Sequence, residues 1–304
     1  MIVQLAVMVF FSLFLTYLGV SRTLKGALGL STLINLNKST TGAVVIASIT
    51  VLPELSSSIT AIILGSSQLA LGNILGSNIY NLPLLIGLAG IFGEFEINKN
   101  VAEQCLIIVV INILVAGVTI TIGSIPRAFS VVLLVLYLLF LYRQLKNGTK
   151  CWQVTGGIKE ATLPLITGGA ALILGSFILV NSAVGVINAY QISPFLVGVV
   201  MSLGAVFPEV AVSLFSALKR EHEISVANIL GDNIITITLV LGLVSLIRPM
   251  QVIASEIITT IPYTIGFTVV IYFMHIKGWK VTRKTAVIFL LSIVTIFVYQ
   301  TISS

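Results

Sequence analysis

Apolar runs of about 20 residues recur from one end of this chain to the other, each long enough to cross a ~30 Å hydrocarbon core as a helix. They fall near 2–20, 40–64, 69–92, 101–123, 126–143, 162–189, 194–218, 224–247, 252–274 and 285–301. A bilayer admits only helices and closed barrels, because every backbone polar group must be satisfied within the protein. A barrel shows alternating segments of ~10 residues instead. The reading is an all-α integral membrane protein of ten transmembrane helices. With 57% hydrophobic and only 9% charged residues, 304 residues cannot clothe a soluble surface.

Charge placement sets the expected orientation. Fourteen of the 16 Lys and Arg residues fall in the loops after spans 1, 3, 5, 7 and 9, leaving Arg127 and Arg248 on the other side. By the positive-inside rule the fourteen face the cytoplasm and both termini face outward. The net charge of +6 is thus a topology signal and carries no suggestion of nucleic acid. The first apolar stretch lacks a preceding basic region and a small-residue cleavage site, so it reads as a retained span. Cys105 and Cys151 form no disulfide framework, and His222 and His275 read as membrane-edge residues.

The chain is duplicated. Leu52-Pro53-Glu54 matches Phe207-Pro208-Glu209, and Gly72-Asn73-Ile74-Leu75-Gly76-Ser77-Asn78-Ile79 matches Ala227-Asn228-Ile229-Leu230-Gly231-Asp232-Asn233-Ile234. Both matches share one ungapped offset, as do Gly87 and Gly242. Each half holds five spans, an odd number, so the second half enters the membrane from the opposite side. That predicts two inverted-topology repeats, 1–146 and 162–304, joined by a polar, basic linker at 147–161. Gly168, Gly169 and Gly175 in span 6 read as close helix packing.

Of ten acidic residues, seven lie in loops or at span ends, whereas Glu54, Glu209 and Asp232 lie deep in spans 2, 7 and 8. A carboxylate at that depth costs several kcal/mol unless paired, protonated or bound to a cation. No Lys or Arg lies near the midplane of any span, so cations or protons remain as partners. Asn73, Ser77 and Asn81 share one face of span 3 through their i, i+4 spacing, as do Asn228, Asp232 and Thr236 in span 8. Thr50 sits one turn before Glu54. Pro53 and Pro208 free the carbonyls of Ile49 and Gly204. The candidate cation site is therefore Thr50, Glu54, Ser77, Asn81, Glu209, Asp232 and Thr236, with Asn73, Asn228, Ile49 and Gly204 as a second tier. Asn78, Asn233, Ser48 and Ser56–Ser58 read as cross-helix hydrogen bonding. Such an oxygen-rich set suits a hard cation wanting about 6–8 ligands. It holds no thiolate or imidazole, which argues against zinc or copper.

These residues resemble the two alpha-repeats of the cation/calcium exchanger superfamily, whose pattern is roughly G-T-S-x-P-E followed by G-N-x-x-G-S-N-x-x-N/D. Here the motifs read Ile49-Thr50-Val51-Leu52-Pro53-Glu54 with Gly72 to Asn81, and Gly204-Ala205-Val206-Phe207-Pro208-Glu209 with Ala227 to Thr236. The resemblance implies helices 2, 3, 7 and 8 at the centre and Glu54 and Glu209 as the principal Ca²⁺ ligands. Three departures stand out: Thr50-Val51 and Ala205-Val206 replace the Thr-Ser pairs, Asp232 replaces a serine, and Thr236 occupies the acid or amide position. In effect a carboxylate has moved by one helical turn on the same face.

The expected function is secondary active exchange of Ca²⁺, or another divalent cation, for Na⁺ or H⁺ by alternating access, in a multi-pass cell-membrane protein. It needs no cofactor. Its partners are inorganic cations and the lipid bilayer, and nothing in the sequence specifies an oligomeric state. One alternative is a proton-coupled carrier in which Asp232 titrates. Others, from different classes, are a cation channel and an intramembrane enzyme. Enzymatic chemistry is disfavoured because Asp232 is the only aspartate and neither H-E-x-x-H nor G-x-S-x-G occurs.

Overall fold

The computed structural model describes residues 2–33, 47–97, 99–146, 158–206, 209–210 and 222–303. Among them, eight helices are long and apolar enough to cross a membrane, and shorter apolar helices cover Ser48–Ile63 and Pro194–Ala205. The short pair coincides with expected spans 2 and 7, whose remaining residues (40–46, 207–208 and 211–218) lie outside the described residues. Most of the expected linker, 147–157, lies outside them too.

The first half runs α1 (Ile2–Leu33), α2 (Ala47–Thr50), α3 (Leu52–Ile63), α4 (Ser67–Phe92), α5 (Lys99–Ile122) and α6 (Arg127–Lys146). The second runs α7 (Ile158–Tyr190), α8 (Pro194–Ala205) and α9 (His222–Ile235), then a π-helical segment, Thr236–Val240. After it come α10 (Leu241–Ile247), α11 (Ala254–Ile258), α12 (Ile261–Ile276) and α13 (Arg283–Ser303). One expectation changes. α1 and α7 run beyond their apolar cores, so Arg22, Lys25 and Lys159 lie on helical extensions rather than in loops. Once a helix leaves hydrocarbon, its polar continuation keeps the same backbone bonds in water.

Burial divides the helices. In 18-residue apolar stretches of α4 and of Ile229–Ile247, 83% of the residues are buried, against 17–39% in those of the six other long helices. Polar side chains on these two central helices therefore face protein, while the outer helices present apolar side chains such as Phe10, Ile166 and Ile288 to the surroundings. Around α4 pack α3, α8, α9, α12 and α13. The α4–α8 contact is backbone to backbone: a Cβ on Gly72 would stand 2.1 Å from the Phe195 carbonyl oxygen, and one on Gly198 2.3 Å from that of Leu69. α1 packs chiefly on α7, where a Cβ on Gly168 would meet the Thr23 amide nitrogen at 2.6 Å and one on Gly175 the Ser12 carbonyl at 3.0 Å. Gly169 has nothing within 4 Å, so close packing explains its neighbour and Gly175 but not Gly169.

Two short ribbons, absent from the sequence reading, tie the halves together. Phe95–Glu96 pairs antiparallel with Lys280–Val281, and Ser124–Ile125 with Met250–Gln251. Each strand is two residues long, too short for any alternation to register in sequence.

Candidate functional site

Glu54 stands in the first turn of α3, after a break at Val51 that separates α2 from α3. Pro53 occupies that first turn, where its missing N–H has no intrahelical role and its fixed φ suits the helix. A carboxylate there also meets the positive end of the helix dipole. α8 ends at Ala205, and Glu209 follows just beyond it, with the Val210 amide donating to the Val206 carbonyl at 3.0 Å. Both glutamates thus occur where a membrane helix is interrupted.

All seven principal candidates, Thr50, Glu54, Ser77, Asn81, Glu209, Asp232 and Thr236, have 0% exposure. Asp232 on α9 is the hub. One carboxylate oxygen accepts from Thr50 Oγ1 at 3.3 Å and the other from Asn81 Nδ2 at 2.6 Å. Glu54 and Glu209 each lie within electrostatic reach of Asp232, and Glu209 within reach of Glu54. The Glu54 side-chain oxygens are buried with no hydrogen-bond partner among the described residues. Those of Glu209 take no bond from an amide, hydroxyl or basic group but lie close enough to the Asp232 carboxyl to share a hydrogen bond with it. The ion pairs among the described residues, Arg143–Glu103 and Lys280–Glu96, are partly exposed and involve none of the three acids.

The second tier divides. Asn73 is structural on one side and open on the other: its Nδ2 donates to Ser57 Oγ at 2.9 Å, Ser58 Oγ at 3.0 Å and the Glu54 carbonyl at 3.4 Å, while Oδ1 has no partner. Ile49 packs with Val20 and Leu172, and Gly204 faces Leu13 of α1. The side chain of Asn228 lies outside the described residues. Ser77 donates to its own helix at the Ile74 carbonyl, 3.0 Å. Thr236 opens the π-helical segment with its hydroxyl unpartnered. Among the described residues, no three His, Cys, Asp or Glu side chains stand close enough to hold a metal ion on their own. A cation here would need the neutral oxygens as well.

The expected cross-helix bonds are present at Asn233 and Ser56–Ser58, whereas the Asn78 amide turns back to the Ile74 carbonyl of its own helix at 3.2 Å. Asn233 Nδ2 donates to the Asn78 carbonyl at 3.4 Å, joining two equivalent positions 155 residues apart. Ser56 and Ser176 share a 2.6 Å bond between α3 and α7. Ser57 and Ser58 bond across helices as expected, and their partner, Asn73 of α4, is what the tertiary structure adds. Glu256, read as a span-end residue, accepts from the Ile253 amide at 3.3 Å at the start of α11. His275 Nδ1 lies 2.6 Å from the Ile97 carbonyl.

The model of the family described as "Sodium/calcium exchanger protein" matches residues 4–146 and 161–302 of this chain. The chain belongs to that family. It is therefore a transporter rather than an enzyme, a multi-pass membrane protein of cation exchange. Among its relatives, the inner membrane protein YrbG of Escherichia coli is 32% identical over 229 residues, covering 69% of this chain and 70% of YrbG. The putative antiporter CaxA of Alkalimonas amylolytica is 28% identical over 249 residues, covering 75% of this chain and 76% of CaxA. The fold also matches that of the solved sodium-calcium exchanger NCX_Mj, with a TM-score of 0.71, 24% identity and 100% of both chains covered.

Proposed function

We propose that this exchanger trades Ca²⁺, or another divalent cation, for Na⁺ or H⁺ by alternating access, with Glu54 and Glu209 as the principal ligands. The observation that carries this reading is the set of four buried carboxylate oxygens of Glu54 and Glu209, which no amide, hydroxyl or basic side chain among the described residues partners. Uncompensated acids in a membrane interior are costly, and a divalent cation neutralises two of them at once. The orphan oxygens of Asn73, Asn81 and Thr236 lie on the same central helices and supply further hard ligands. No residue of the set is a thiolate or an imidazole.

Ten spans in two inverted repeats, 1–146 and 162–304, with both termini outside, make the best frame for this activity. Two contact patterns support that frame. The Asn78–Asn233 bond joins equivalent positions, as residues beside a pseudo-two-fold axis must. The two ribbons also exchange under the repeat offset to within one residue, since Phe95–Glu96 corresponds to Met250–Gln251 and Ser124–Ile125 falls one residue short of Lys280–Val281. The α1–α7 pair is the natural moving group. It packs mainly on itself, and a cleft of about 350 Å³, lined by Leu13, Leu179, Met201 and Gly204, separates part of it from α8. Cation binding neutralises Glu54 and Glu209, which lowers the cost of reorienting the site.

The test is radioactive Ca²⁺ uptake into proteoliposomes under separate outward Na⁺ and H⁺ gradients, with Glu54→Gln as the control. Uptake driven by either gradient and lost in Glu54→Gln supports the reading. Wild-type rates in Glu54→Gln overturn it.

A further inference from the structure

We infer that Asp232 is a positioning residue, which turns Asn81 into an oriented oxygen ligand by holding its amide hydrogen. This rests on the cation-exchange reading above. Threonine and asparagine each carry donors as well as lone pairs, so in a buried site either face can turn inward. Here the donors are committed: the Thr50 hydroxyl donates to one Asp232 oxygen at 3.3 Å and Asn81 Nδ2 to the other at 2.6 Å. What remains of the Asn81 side chain toward the site is its oxygen: Asn81 Oδ1 is buried without a partner, as are the side-chain oxygens of Glu54. Asp232 differs from Glu54 in having both its oxygens engaged, one by α2 and one by α4.

The first repeat shows what a serine does at this place. Ser77 folds its hydroxyl back onto Ile74 at 3.0 Å and makes no side-chain bond across helices. A serine at 232 is too short to collect donors from two other helices. The carboxylate therefore serves as an outer partner that fixes ligand orientation, the role such groups play around metal-bound histidines and carboxylates.

A double-mutant cycle on Ca²⁺ uptake in proteoliposomes tests this. Asp232→Ser should raise the KM for Ca²⁺ about tenfold, the size expected for losing a charge-assisted hydrogen bond to a ligand, with kcat within about twofold. Asn81→Ala should do the same, and Asp232→Ser with Asn81→Ala should fall well short of the product of the two single effects, because Asp232 keeps its contact with Thr50 when Asn81 is absent. Asp232→Asn, which keeps one acceptor oxygen, should fall between wild type and Asp232→Ser, and it carries the same cycle if the serine variant does not fold. Effects that multiply in the double variant overturn the positioning role and leave the exchange reading standing. Wild-type vesicles that take up no Ca²⁺ under either gradient overturn both.

Discussion

On α4, the Ser77 hydroxyl folds back onto its own helix; at the equivalent position of α9, the Asp232 carboxylate reaches off its helix to Thr50 and Asn81. The backbones diverge just beyond. α4 stays α-helical through Pro83, whose missing N–H leaves the Ile79 carbonyl without its usual partner. At the corresponding depth the second half winds into a π-helical segment, where the Leu241 amide reaches back five residues to the Thr236 carbonyl. Both devices loosen the backbone ladder beside the acids, by different chemistry. Duplication thus conserves where a helix yields and where oxygen atoms gather, while single side chains decide which half holds and which half is held. π-turns inside α-helices are frequent at functional sites for this reason.

The comparison is broken most directly at the two glutamates, which occupy equivalent places. Glu54→Gln and Glu209→Gln should each lower divalent uptake about a hundredfold or more, roughly 2.7 kcal/mol of transport barrier. Unequal losses in the paired uptake assays would show that the halves contribute asymmetrically.

Next come the close contacts. Gly168→Ala should cost about 1–3 kcal/mol of stability, because its Cβ would meet backbone of α1. Gly169→Ala, with nothing within 4 Å, should be neutral or stabilising by about 1 kcal/mol through helix propensity. Thermal unfolding in detergent compares the two directly. A smaller effect belongs to the bond between equivalent asparagines: Asn233→Ala should cost about 0.6–1.7 kcal/mol in the same assay. Last, Lys280→Gln removes an exposed ion pair with Glu96 and should leave unfolding unchanged, since the ribbon's backbone bonds remain.

Much of this was legible before any coordinates. Span positions follow from hydrophobic runs, because a bilayer penalises unsatisfied backbone more than any other factor does. Glu54, Glu209 and Asp232 were visible as acids where acids are costly, and the i, i+4 spacing placed Asn81 with Ser77. The ribbons and the π-helical segment were not legible. Two-residue strands carry no period, and Thr236–Val240 differs in no compositional way from ordinary apolar helix.

By itself, the sequence determined the all-helical membrane architecture, the duplication and the identity of the buried oxygens, since hydropathy, repetition and residue type are local properties of a chain. Tertiary structure alone decided how those oxygens divide. Glu54 and Glu209 take no hydrogen bond from an amide or hydroxyl side chain, whereas Asp232 accepts from Thr50 and Asn81, 182 and 151 residues away. That division depends on which helices come within hydrogen-bond distance, a property of packing between segments that no spacing along one segment encodes.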